Sequence, residues 1–134
     1  MRHASLISIS ALLLALAACT PHRTVQEKLD FIVGNDRDEH GCLSSAGYTW
    51  SYALHDCVRV WEVGERYANG NHTAYLIMSP DSTFAEIFPE GKSQIVCKRV
   101  KGQNLWRQRK THESVTLDKG GITLHLGSLD YKKE

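Results

Sequence analysis

Turn signals recur about every ten residues from Gly41 to the C-terminus, and a chain punctuated this often has no room for long helices. Asn69-Gly70-Asn71, Ser79-Pro80-Asp81-Ser82, Pro89-Glu90-Gly91, Lys101-Gly102-Gln103-Asn104 and Lys119-Gly120-Gly121 carry the glycine, proline and Asx chemistry of tight turns. Between them lie short β-branched and aromatic runs at 48–50, 58–61, 73–78, 83–88, 93–100, 105–109, 114–117, 122–126 and 129–131. Ile122, Leu124 and Leu126 alternate with Thr123 and His125, the pattern of a strand with one buried face. The spacing predicts an all-β fold, an antiparallel meander forming a sheet or small barrel. Only 61–68 could coil into a helix, and Gly64 keeps it short.

The first eighteen residues are of a different kind. Met1-Arg2-His3 is followed by a small, apolar run to Ala18 with no acidic residue, which reads as a signal peptide. It is short for a membrane span, which needs about 20 apolar residues. Leu16-Ala17-Ala18-Cys19 resembles the lipobox of bacterial lipoproteins, in which Cys19 is acylated and becomes the mature N-terminus. The implied organisation is a signal peptide at 1–18, a lipidated N-terminus and tether at 19–33, and one β domain at 34–134. A threonine at position 20 implies outer-membrane delivery under the Gram-negative sorting rule, facing the periplasm. The expected partner of the tether is thus a membrane, held through the lipid on Cys19.

Loss of Arg2 with the leader leaves fifteen basic residues against fifteen acidic ones. That balance gives no basis for nucleic-acid binding. Of the remaining thiols, Cys42 and Cys57 are the natural couple, because a tight turn between them would bring two strands together in an oxidising compartment. The result is an N-terminal disulfide-stapled hairpin. Cys97, within Ile95-Val96-Cys97, reads as a buried free thiol.

Candidate chemistry is sparse. Asp36, Asp38 and His40 alternate ahead of Gly41 like the first half of an EF-hand loop, but the twelfth position is Gly47 where a carboxylate is needed. The histidines form no H-x-x-x-H or H-x-H pair, and His40 with Cys42 and Cys57 could gather a metal only if the thiols stayed reduced. Cys97 with His112 or His125 could be drawn as nucleophile and base, but its apolar neighbours oppose a reactive thiolate. No G-x-S-x-G, H-E-x-x-H or glycine-rich phosphate loop occurs. Catalytic residues, metal and cofactor are therefore all expected to be none, and the chain is not expected to be an enzyme.

One charge pattern does stand out. Lys98, Arg99, Lys101, Arg107, Arg109 and Lys110 fall within thirteen residues that hold no carboxylate. With 101–104 as a hairpin turn, they make a basic tip around Trp106, suited to an acidic surface or an anionic glycan. Lys101, Trp106, Arg107 and Arg109 are the expected partner contacts, arginine and tryptophan being favoured anchors.

Gly41-Cys42-Leu43-Ser44-Ser45-Ala46-Gly47-Tyr48-Thr49-Trp50, followed by Asp56-Cys57-Val58-Arg59-Val60-Trp61-Glu62, resembles an element of small secreted bacterial proteins, roughly G-C-x-x-S-A-G-Y-x-W then C-x-R-x-W-E. Some relatives carry a further cysteine where Ser51 stands, and its absence supports Cys42–Cys57 as the bridge. From Thr73 onward, an apolar strand, Pro80-Asp81 and then strands with tryptophan and glycine turns resemble the C-type lysozyme inhibitor family, small envelope lipoproteins built on an antiparallel β-barrel. That family inserts a serine-glycine loop and a tyrosine into the lysozyme cleft; here 101–104 is a different hairpin, so those residues do not carry over. The resemblance implies a protein-binding envelope lipoprotein, an inhibitor of a lysozyme-like glycosidase in its sharpest form. The alternatives are a β-barrel carrier with Phe84, Phe88, Trp106 and Leu124 lining a ligand cavity, and a structural envelope component.

Overall fold

A computed structural model describes residues 36–134; the segments expected to be a signal peptide (1–18) and a lipidated tether (19–33), with Cys19, lie outside the described residues. The fold is all-β. A hairpin, β1 (Thr49–Ser51) and β2 (Asp56–Val58), precedes one helical turn (Val60–Val63). Eight strands follow: β3 (Glu65–Asn69), β4 (His72–Met78), β5 (Phe84–Pro89), β6 (Ile95–Arg99), β7 (Leu105–Arg107), β8 (Ser114–Asp118), β9 (Gly121–Leu126) and β10 (Leu129–Lys133). They form a closed antiparallel meander in which β10 returns to β3, so the sheet has no free edge.

Alternation sends one residue in two to the barrel interior, where small and large side chains together fill the space. Tyr67 pairs with Ala74, Ala85 with Cys97, Trp106 with Val115, and Val115 in turn with Leu124. These side chains, with Leu76, Ile87, Leu126 and Tyr131, form one continuous core. The interior is thus filled, as expected for eight strands. The cavity set expected of a carrier is split by the pleat. Trp106 and Leu124 are in the core, whereas Phe84 and Phe88 share the opposite face of β5 from Ala85 and Ile87 and lie on the outer wall.

The closing seam is short and polar. Two residue pairs, Lys132 with Ala68 and Lys133 with Tyr67, join β10 to β3. Lys133 also reaches Glu65 at 2.8 Å, Arg66 reaches Glu134 at 2.5 Å, and Asn69 Nδ2 donates to the Asp130 carbonyl at 2.8 Å. The Lys133 hydrogen bond holds the Glu65 carboxyl below its ordinary pKa against the opposing effect of burial. Burial, then the Glu65 charge, pushes the Tyr67 hydroxyl far above its ordinary value.

Two sequence expectations change. The 61–68 segment gives only the helical turn Val60–Val63, and its second half is strand β3. Trp61, expected at the end of a strand, sits on that turn. The reason is closure: β3 must pair with both β4 and β10, and that demand overrides local propensity. No helix among the described residues is long and apolar enough to cross a membrane.

Candidate functional site: a basic outer wall beside a stapled hairpin

The disulfide forms as the sequence predicts, and it ties the loop ahead of β1 to β2 of the front hairpin. Cys42 and Cys57 form a disulfide spanning 15 residues. The G-C-x-x-S-A-G-Y-x-W…C-x-R-x-W-E element proves to be a set of mutual contacts. Arg59 Nε donates to the Ala46 carbonyl at 2.9 Å, its guanidinium lies 4.7 Å from the centre of the Tyr48 ring, and it pairs with Glu62 at 3.1 Å. The edge of the Trp61 indole abuts Gly47, where an added Cβ would meet Cη2 at 2.3 Å. Gly47 also holds φ +79°, a left-handed conformation that glycine adopts freely. The element is a structural lock that leaves Trp61 half exposed.

This unit sits on the outer face of β4 and β5 through Ala53, Val58, Val60 and Ile77, with Leu54, Tyr75 and Phe88 around them. At its centre is Glu86. The side chain points outward from β5 yet is fully buried beneath the hairpin. Its carboxylate accepts from Ser51 Oγ at 2.5 Å, Tyr52 N at 3.0 Å and Ala53 N at 3.4 Å, and from Gln94 Nε2. One carboxylate therefore satisfies the turn of the hairpin and fixes it to the barrel. No sequence pattern marks Glu86, because the burial comes from a hairpin packed 33–35 residues away.

The Asp36–His40 loop spends its acids on backbone donors. Asp38 Oδ1 accepts from His40 N and Cys42 N, each at 2.9 Å, and Asp36 Oδ2 accepts from Ser45 N at 3.1 Å. His40 stacks on Trp50 at 4.8 Å and meets the Tyr52 ring edge-on at 5.5 Å. Among the described residues, no three acids, histidines or cysteines are grouped to hold a metal ion. Cys97 is buried and donates to the Glu113 carbonyl at 3.7 Å. Desolvation, and then the Glu113 charge, pushes its thiol up to about 11. His112 and His125 do not appear among its hydrogen-bond partners.

His125 instead bridges Thr116 Oγ1 at 2.9 Å and Asp130 Oδ1 at 2.7 Å. The order hydroxyl, imidazole, carboxylate is that of an acyl-transfer relay. Here the three sit on neighbouring strands of the convex outer wall, where they tie β8, β9 and β10 together.

Part of the cationic run lies along the outer wall, while Lys101 stays on the hairpin turn between β6 and β7 and Lys110 lies outside the lining. Lys98 and Arg107 are direct cross-strand partners. With Arg99, Val100, Gln108, Arg109 and His112 they line an open groove of about 510 Å³. Like charges placed opposite each other on adjacent strands, Cβ atoms about 5 Å apart, repel. Among the described residues, none of these lysines and arginines has a carboxylate within 4.0 Å. Arg99 is partly engaged, donating to the Gln103 carbonyl at 3.2 Å and to Asn104 Oδ1 at 3.3 Å.

Of the four expected contacts, Arg107 and Arg109 line the groove. Lys101 is exposed on the adjoining turn, outside the lining. Trp106 is 3 % exposed, its Nε1 donating to the Ser82 carbonyl at 2.8 Å. It is a core residue, one position out of phase with its outward neighbour Arg107, and it serves the site only by carrying the Arg99 guanidinium 5.2 Å from its ring centre. Lys98 belongs to the basic run but not to the four expected contacts, and His112 is expected only beside Cys97: the hairpin turn puts the two strands side by side, but the sequence does not give the register that sets Lys98 opposite Arg107.

Compared with protein-family models, with curated proteins and with solved structures, the chain has no match in any of the three.

Proposed function

We propose that this domain is a binding module of the bacterial envelope whose basic groove engages an acidic protein surface, in its sharpest form the cleft of a lysozyme-like glycosidase. One observation carries the reading. Lys98 and Arg107 face each other across β6 and β7, and among the described residues neither has a carboxylate within 4.0 Å. Repulsion of this kind costs stability, and an anionic partner offsets it on binding. A glycosidase suits the role because its chemistry depends on two carboxylates in one cleft.

Two further points support this choice. The leader and Cys19 read as a lipoprotein address, which tethers the domain to a membrane by acyl chains, in the compartment where lysozymes act. An antiparallel β-barrel is also the fold of the C-type lysozyme inhibitor family, a likeness of architecture with the weight of an analogy. Contacts come from Lys98, Arg107 and Arg109, with Lys101 at the rim. The test is bacterial lysis by lysozymes of the several types in the presence of the pure protein. Nanomolar to micromolar inhibition of at least one is expected, and no inhibition of any refutes the glycosidase version.

A further inference from the structure

The cationic groove does not end at Lys98. The cross-strand partner of Lys98 on β5 is Phe84, and Val96 precedes Lys98 by two residues on the same face of β6. Phe84 and Val96, with Tyr52 and His55 from the hairpin turn, line an apolar cleft of about 320 Å³. A single outward row therefore runs Phe84, Lys98, Arg107 across three neighbouring strands. At about 4.8 Å per strand, the apolar cleft and the second cation are about 10 Å apart.

We propose that the occupant of this surface is an acidic polypeptide segment bearing one apolar side chain beside its carboxylates. The apolar side chain seats between Tyr52, His55, Phe84 and Val96, and the carboxylates meet Lys98, Arg107 and Arg109. This rests on the groove being the partner-binding face, and it adds the anchor that such a partner must present. The cleft alone would not say what fills it; its continuity with the row of cations does. Charge complementarity selects an acidic ligand, and the apolar walls select a hydrophobic group next to the charge. A small single-headed amphiphile would meet one cation and leave the others facing each other. A peptide spans the row.

The walls are held in advance of binding. The Tyr52 amide is fixed on Glu86, and the Tyr52 ring is braced by His40 on Trp50. His55 and His112 hold left-handed backbone, at φ 54° and 68°, and each borders one half of the surface. Such strained positions gather at binding sites, and fixed walls lower the ordering cost of association.

The test uses the full mature chain and two synthetic glutamate-rich peptides that differ only in one central residue, phenylalanine or alanine, with dodecanoate as competitor. Binding is read by fluorescence anisotropy at low salt. The phenylalanine peptide is expected to bind the wild type about tenfold or more tighter than its twin. Tyr52→Ser and Val96→Ser should bring that ratio close to one, with circular dichroism confirming the fold. Lys98→Ala/Arg107→Ala should weaken both peptides together and keep the ratio. Equal binding of the twins to the wild type, an unchanged ratio in both cleft variants, or complete displacement by equimolar dodecanoate overturns the anchor. Absence of binding by either peptide overturns the basic groove itself, a different failure.

Discussion

Replacing Glu86 with alanine should loosen the hairpin while leaving the barrel closed. The carboxylate serves Ser51 Oγ, two backbone amides and Gln94, all in or under the hairpin. Alanine leaves these donors without an acceptor. An unsatisfied buried donor costs about 1–3 kcal/mol. The Ala53 amide and Ser51 hydroxyl are fully enclosed, whereas Tyr52 and Gln94 lie nearer the surface and can turn to water. The total loss is then about 2–6 kcal/mol, a large share of the roughly 5–15 kcal/mol that stabilises a domain. None of the residues losing a partner belongs to the continuous barrel core. The cost therefore falls on the docking of the hairpin, and the wall formed by Tyr52 and His55 goes with it. Glu86→Gln keeps one acceptor oxygen but turns an NH2 toward the remaining donors, so about half the loss is expected. The assay is native-state hydrogen exchange at the Tyr52 and Ala53 amides, set beside urea denaturation of the same variants. Protection at those amides should fall while that of Leu124 and Ile87 holds. A loss below about 1 kcal/mol with unchanged amide protection would refute the reasoning.

Gly47→Ala should lower stability by about 1–2 kcal/mol for the left-handed backbone alone, and further for displacing Trp61, seen as a drop in Tm with a red-shifted Trp61 emission. Opening the staple with Cys42→Ser/Cys57→Ser should cost about 3 kcal/mol on the chain-entropy argument for a 15-residue loop, measured by urea denaturation, with barrel secondary structure retained. Asp81, held down to about 2 by hydrogen bonds from Ser79 and then Thr83, contributes stability that is present above its unfolded pKa. That contribution should vanish as pH falls from about 4 toward 2. Asp81→Asn should flatten the acid limb of the stability curve over that window, and an unchanged limb would contradict the assignment.

Much of the fold was legible because its signals are local. The turns at 69–71, 79–82, 101–104 and 119–121 carry glycine or proline, and the strands between them alternate. The disulfide was legible from its spacing. Strand β3 was not, because Glu65-Arg66-Tyr67-Ala68-Asn69 offers only Tyr67 as a strong inward residue, and its pairing with β10 spans the whole barrel. For the site, composition was readable and position was not. The six cations were visible as a run, but their place on a wall depends on Lys98 standing opposite Arg107. Trp106 shows the same gap: within Leu105-Trp106-Arg107 the inward residue is set by its pairing with Val115, which no reading of the triplet supplies. Glu86 needed a long-range contact to acquire any role at all.

Under the proposed function, an exposed cationic face, and not a bond-making group, does the work of this domain. Crosslinking of the full-length protein in intact cells of its own source, wild type beside Lys101→Ala/Arg107→Ala/Arg109→Ala, tests that most directly. An acidic protein partner should crosslink to the wild type and be lost, or sharply reduced, in the folded triple variant. The same partner captured equally by both would contradict it.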